Sequence, residues 1–125
     1  MGHGKFGCNV KQKSDMKVFK LADMHKGWFV GNFEPSAFKT ELFEVGTTLH
    51  PKGSSWDVHY HKLATEITLL ISGRMKLQGR ILEGGDVFVI YPWEIADPEF
   101  LEDCHVLVIK TPSSTKDKYS VTNTQ

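Results

Sequence analysis

One stretch limits what this chain can fold into more than any other. Between Gly53 and Gly73 it carries His59 and His61 two residues apart, with Glu66 five residues further on. Alternate residues of a strand share a face, which sets the two imidazoles about 7 Å apart at Cα and pointing the same way. Glu66, at an odd offset, would fall on the opposite face of a straight strand. The spacing therefore predicts a turn over residues 62–65 and an antiparallel hairpin that pairs His61 with Glu66, Tyr60 with Ile67 and His59 with Thr68. Directly opposed residues of such a hairpin share a face, roughly 5 Å apart at Cβ. Two neutral imidazoles and a carboxylate are a common donor set for divalent zinc, iron, manganese, nickel or copper. Taken singly, each residue reads as an exposed strand histidine or a solvated acid; three convergent donors read as a metal site.

Gly53, five residues, His59, one residue, His61, four residues, Glu66, six residues and Gly73 match the first motif of the cupins at every fixed position, and the chain resembles that family. The resemblance implies an all-β, single jelly-roll-like β-barrel built from the strand-rich region between about Phe38 and Pro112. It implies much less about activity, because cupins include dioxygenases, isomerases, decarboxylases, storage proteins and sensors. The family's second motif is only partly answered. Pro92 comes one residue late after Gly85, Glu94 stands at a glycine place, and Asp97 stands where a third histidine is usual. The resemblance thus implies metal ligands His59, His61 and Glu66, with Asp97 either a fourth ligand or a general base. A set of two carboxylates and two imidazoles leaves a divalent ion roughly neutral, which favours manganese, iron or zinc over copper, with nickel also open. Asp97 before Pro98 is also ordinary turn chemistry.

The 125 residues suffice for one core without staples. We expect a loose arm over residues 1–15, a barrel domain over 16–112 and a polar tail over 113–125. Fifteen basic and 15 acidic residues give a formal net charge of zero, so nothing points to nucleic acid or an anionic membrane as partner. No apolar run approaches membrane-spanning length, and the first residues lack the apolar core of a signal peptide, which makes the cytoplasm the expected location. Cys8 and Cys104 lie far apart, and neither has a partner at zinc-site spacing. Cys104 opens an apolar strand and reads as a small core residue.

The β-favouring segments at residues 17–21, 28–33 and 38–45 lead to a turn at 49–53, with Gly46 expected to close the third of them. Further strands are expected at 67–71, 74–78, 80–82, 87–91 and 104–110, with Gln78 and Gly79 at a hairpin turn. The aromatic segment around Trp28 and Phe29 fits the core, or a homodimer contact. His105 is expected to share a face with Leu107 and Ile109, at the rim or near the ion.

With Asp57, Thr68 and Leu70 beside the donors, the predicted face suits a small polar organic molecule. The expected protein is a metal-binding cupin acting on such a molecule by isomerase, lyase or dioxygenase chemistry, with Glu66, Asp97 or Tyr91 moving protons. Two alternatives stay open: a small-molecule binder that performs no chemistry, and a metal-free enzyme of nucleotide-linked sugars using His59 or His61 with Tyr91.

Overall fold

A computed structural model describes residues 15–54, 56–114 and 116–121. Eleven strands follow one 3₁₀ turn, Leu21–Asp23, in chain order: β1 (Trp28–Gly31), β2 (Phe38–Lys39), β3 (Glu44–His50), β4 (His59–Tyr60), β5 (Thr65–Ser72), β6 (Arg74–Leu77), β7 (Arg80–Glu83), β8 (Val87–Ile90), β9 (Glu99–Phe100), β10 (Cys104–Thr111) and β11 (Tyr119–Ser120). They form a six-stranded sheet in the order β2-β1-β3-β10-β5-β8, a three-stranded sheet β7-β6-β9 and a two-stranded pair β11-β4. The fold is the expected jelly roll, all-β. No helix among the described residues is long and apolar enough to cross a membrane.

Period-two burial builds the core. Along β6, Met75 and Leu77 are buried while Arg74 and Lys76 are exposed. They meet Leu70, Ile90 and Val106 of the large sheet, with Ala96, Phe100 and Cys104 completing the cluster. Leu70 is fully buried, and removing such a leucine side chain from water contributes about 2 kcal/mol. Cys104 is the buried small residue that the sequence suggests, and burial pushes its thiol pKa up. The β6-β7 hairpin also turns where expected, at Gln78 (φ 49°) and Gly79 (φ 74°), with Leu77 opposite Arg80. Two left-handed central residues match the twist of the flanking strands.

Three expectations are corrected. Residues 17–20 carry no strand and lead into the 3₁₀ turn, since five alternating residues supply a pattern but no neighbour to pair with. The run from Phe38 is also not one strand. β2 is short, the backbone breaks over residues 40–43, and β3 passes straight through Gly46 to His50. Gly46 does not terminate β3 because it makes room: a Cβ there would stand 2.6 Å from the Trp28 ring.

The third correction concerns the hairpin between the histidines and Glu66. β4 pairs with β11, placing Tyr119 opposite Tyr60 and Ser120 opposite His59, while β5 lies between β10 and β8. The segment read as a polar tail therefore supplies a strand, and Ser113 and Asp117 within it are buried.

Gly73, the last position of the motif, adopts φ 102°, and a Cβ there would run into the Asp103 carbonyl oxygen and lie 2.8 Å from Cys104 Sγ. Left-handed backbone and close approach both favour glycine. Gly73→Ala is expected to cost at least about 2 kcal/mol, read as a lowered urea midpoint; an unchanged midpoint would refute this account.

Candidate metal centre

His59 is held by its backbone. Its N–H donates to the Ala96 carbonyl at 3.0 Å and its carbonyl accepts from Ala96 N–H at 2.7 Å, on one side of a strand whose other side is β11. Its ring Nδ1 lies 2.9 Å from the Asp57 carbonyl oxygen. A carbonyl only accepts, so Nδ1 carries the proton and Nε2 keeps its lone pair for a ligand. Such an orienting bond is the usual companion of a metal-binding imidazole.

His61 is also buried, and its carbonyl accepts from Trp93 N–H at 2.6 Å. Its Nδ1 lies 3.9 Å from Glu66 Oε1, and its Nε2 is buried with no hydrogen-bond partner. Burial, reinforced by the charge of Lys110 and by His59, pushes the His61 pKa down to about 4. The ring is therefore neutral at physiological pH, the form that binds a metal. Glu66 reaches the site from β5, where Thr68 Oγ1 donates to its Oε2 at 3.4 Å.

One donor atom from each of His59, His61 and Glu66 lies within 4.8 Å of the other two. The two imidazole rings stand nearly perpendicular, 5.3 Å apart. These residues fit a divalent ion. The His61 nitrogen within ion-pair distance of Glu66 is Nδ1, and a cation between the three donors would draw on the two imidazoles and on the Glu66 charge.

The turn between the histidines and Glu66 is made by a residue far away in sequence. The buried Asp117 carboxylate accepts from the N–H groups of Lys62, Leu63 and Ala64 through four contacts of 2.8–3.1 Å. Burial alone would raise its pKa, but the amides of Ala64, Leu63 and Lys62 outweigh burial and hold it below the usual aspartate value. Asp117 thus clamps the link that swings Glu66 back towards His61.

Other candidates lie elsewhere. Asp97 is exposed and its Oδ1 accepts from Gln78 N–H at 2.8 Å, pinning the β6-β7 turn. Its neighbour Ala96 is the residue bridged to His59 and turned inward, so Asp97 points away from the three donors. Tyr91 is 60 % exposed and outside the cavity lining. That arrangement removes the histidine–tyrosine pair on which the metal-free sugar reading depended.

His105 is among the residues lining the cavity, and it shares a face with Leu107 and Ile109 as expected, because β10 keeps an unbroken register against β3 and the extra residue beside it, Ile71, belongs to β5. Its Nε2 lies 2.8 Å from Thr47 Oγ1, and it stands five residues along β10 from Lys110, the partner of Glu66. At strand rise that is about 17 Å, too far for His105 to serve as a shuttle at the ion.

The three donors stand beside a cavity of about 820 Å³, into which His59 and Glu66 project. Thr68 lines it as expected, but Asp57 does not, and Leu70 belongs to the core. Its wall is mostly apolar, with Leu77, Phe88, Ile90, Phe100 and Val108 among the lining residues.

No protein-family model matches the sequence, and no curated relative matches it. Solved structures do resemble it. An uncharacterised conserved protein with a double-stranded β-helix domain from Klebsiella pneumoniae aligns over 91 % of this chain and 100 % of its own, with TM-score 0.64 and 14 % identity. The DMSP lyase DddQ of Ruegeria pomeroyi aligns over 74 % of this chain and 48 % of its own, with TM-score 0.61 and 17 % identity. An RmlC-like cupin from Ralstonia eutropha aligns over 66 % of this chain and 58 % of its own, with TM-score 0.51 and 16 % identity. These likenesses define the fold as the double-stranded β-helix of the cupins.

Proposed function

We propose that this protein binds one divalent metal ion through His59, His61 and Glu66 and acts on a small organic molecule held in the adjoining cavity. The observation that carries the reading is the cluster of two buried histidines and Glu66, with one donor atom of each within 4.8 Å of the others. Three protein donors leave coordination positions open, the mark of catalytic rather than structural sites. A divalent ion so held supplies Lewis-acid polarisation of an oxygen and a lowered pKa for bound water.

The chain's own residues do the rest. Asp57 fixes the His59 tautomer through its carbonyl, the apolar wall excludes water from the substrate, and Glu66 is the carboxylate placed to bind the ion or to take a proton. Lyase chemistry at such a site is supported by the resemblance to a DMSP lyase; the fold itself hosts several reaction types.

Elemental analysis of the full chain beside the His59→Ala/His61→Ala double variant tests the proposal. About one manganese, iron, zinc or nickel ion per chain, absent from the variant, is the expected result. Equal metal in both proteins would sink it. Glu66→Gln keeps the shape but removes the charge opposing the ion, and is expected to weaken metal affinity on the order of 100-fold, measured by competition with a chelator. Unchanged affinity would remove Glu66 from the ligand set.

A further inference from the structure

The charges of the cavity are one-sided. Among its described lining residues the charged side chains are Lys26, Lys110 and Lys118 against Glu66 alone. Glu66 is already assigned to the ion, so what remains facing a ligand is cationic.

Lys110 stands nearest the proposed centre. Antiparallel pairing sets it directly opposite Glu66 on β5 and opposite Glu44 on β3, and directly opposed residues share a face. Its ammonium lies 4.9 Å from the Trp28 ring centroid and 3.9 Å from Glu44 Oε2. The latter separation is beyond hydrogen-bonding reach. Glu44 is engaged elsewhere, since its Oε1 accepts from Ser113 Oγ at 2.9 Å, and it does not line the cavity. Among the described residues the ammonium makes no hydrogen bond, and its side chain is 20 % exposed. The ammonium, ion-paired with Glu44 at 3.9 Å but with its hydrogen-bond donors unused and a tryptophan face beside it, sits next to an apolar wall.

We propose that Lys110 is the anion-recognition residue of the cavity and that the ligand is a small organic acid. Its carboxylate meets the Lys110 ammonium and its apolar body lies on Phe88, Ile90 and Phe100. The proposal deepens the metal-site reading, on which it rests for the reaction but not for the binding. Lys26 and Lys118 are exposed, and Lys118 lies 4.8 Å from the Trp56 ring centroid. They add positive potential to the lining and raise the local concentration of anions.

Binding of phenylacetate and hexanoate, of their neutral amides and of inorganic phosphate should be measured by calorimetry. The full chain is used twice, once stripped with a chelator and once loaded with manganese. In the stripped protein the acids are expected to bind at least roughly ten-fold tighter than the amides and than phosphate. Lys110→Met should erase the acid preference, as should Lys110→Gln, which keeps a hydrogen-bond donor without the charge; Lys110→Arg should retain it.

Equal binding of acids and amides, an acid preference that survives in a folded Lys110→Met or Lys110→Gln protein, or no acid binding up to about 10 mM would each overturn the proposal. Phosphate binding as tight as the acids would overturn the apolar-body assignment and leave a simple oxyanion site. Failure of the metal reading shows separately, as no manganese uptake with a Lys110-dependent acid preference intact.

Discussion

A His61→Ala variant will lose stoichiometric metal and with it the metal-dependent rise in melting temperature, while its metal-free form stays folded. His61 contributes packing, but its buried Nε2 has no partner. Cutting the side chain to alanine therefore leaves a cavity, which costs stability, and removes an unsatisfied acceptor, which returns some of it. The net effect on metal-free protein is expected to stay within about 2 kcal/mol. The holoprotein behaves differently. A ligand present at a thousand times its dissociation constant stabilises the native state by about 4 kcal/mol, or roughly 15 °C for a chain of this size. Thermal melts of both proteins with and without manganese or zinc check this. A His61→Ala protein that still gains roughly 15 °C with metal would place the site elsewhere.

The second large effect belongs to Asp117. Replacing it with alanine strands three backbone N–H groups, those of Lys62, Leu63 and Ala64, in a partly buried turn. Hydrogen bonds to a charged acceptor contribute more than neutral ones, and orphaned donors carry their own penalty. A loss of about 3 kcal/mol is expected, with a weaker metal site because the turn between His61 and Glu66 loosens. Asp117→Asn keeps one acceptor oxygen and should fall between alanine and wild type.

The pH dependence follows from the depressed pKa of Asp117. The unfolded chain takes up a proton near the ordinary aspartate value, around 4, while the folded carboxyl resists protonation to lower pH. Stability from this group is therefore fully present above the unfolded value and is lost as pH falls towards the folded one. Urea titrations at pH 7 and near pH 3 should show wild type losing more stability over that interval than Asp117→Asn. Equal losses would refute the assignment.

The fold was legible because two signals agree across the chain. The spacing of Gly53, His59, His61, Glu66 and Gly73 resembles one family's motif, and the alternation in residues 74–77 and 104–110 produces strands where it predicts them. That His59, His61 and Glu66 come together was legible for the same reason. Their connection was not, because a hairpin is the shortest way to bring Glu66 back to His61 and sequence separation favours the short way. The chain instead uses Tyr119 and Ser120 as partners for β4 and Asp117 to fold the link, contacts across more than 50 residues that no local pattern announces.

Asp97 misled because position within a family motif says nothing of side-chain direction. Once Ala96 turns inward, Asp97 is left to serve Gln78. Lys110 passed unnoticed as the polar end of an apolar strand, and its meaning comes only from the register that sets it opposite Glu66.

The order of the large sheet bears on how the chain is made. β10 lies between β3 and β5, so a strand synthesised after both of its neighbours must enter between them. Until it does, β3 and β5 each keep one edge of backbone N–H and C=O groups unpaired. The Asp117 clamp is later still, so on a ribosome the two histidines and Glu66 exist for some time as separate groups on an open surface. The three side chains are brought within reach of one another by a link whose clamp, Asp117, is translated more than 50 residues after it.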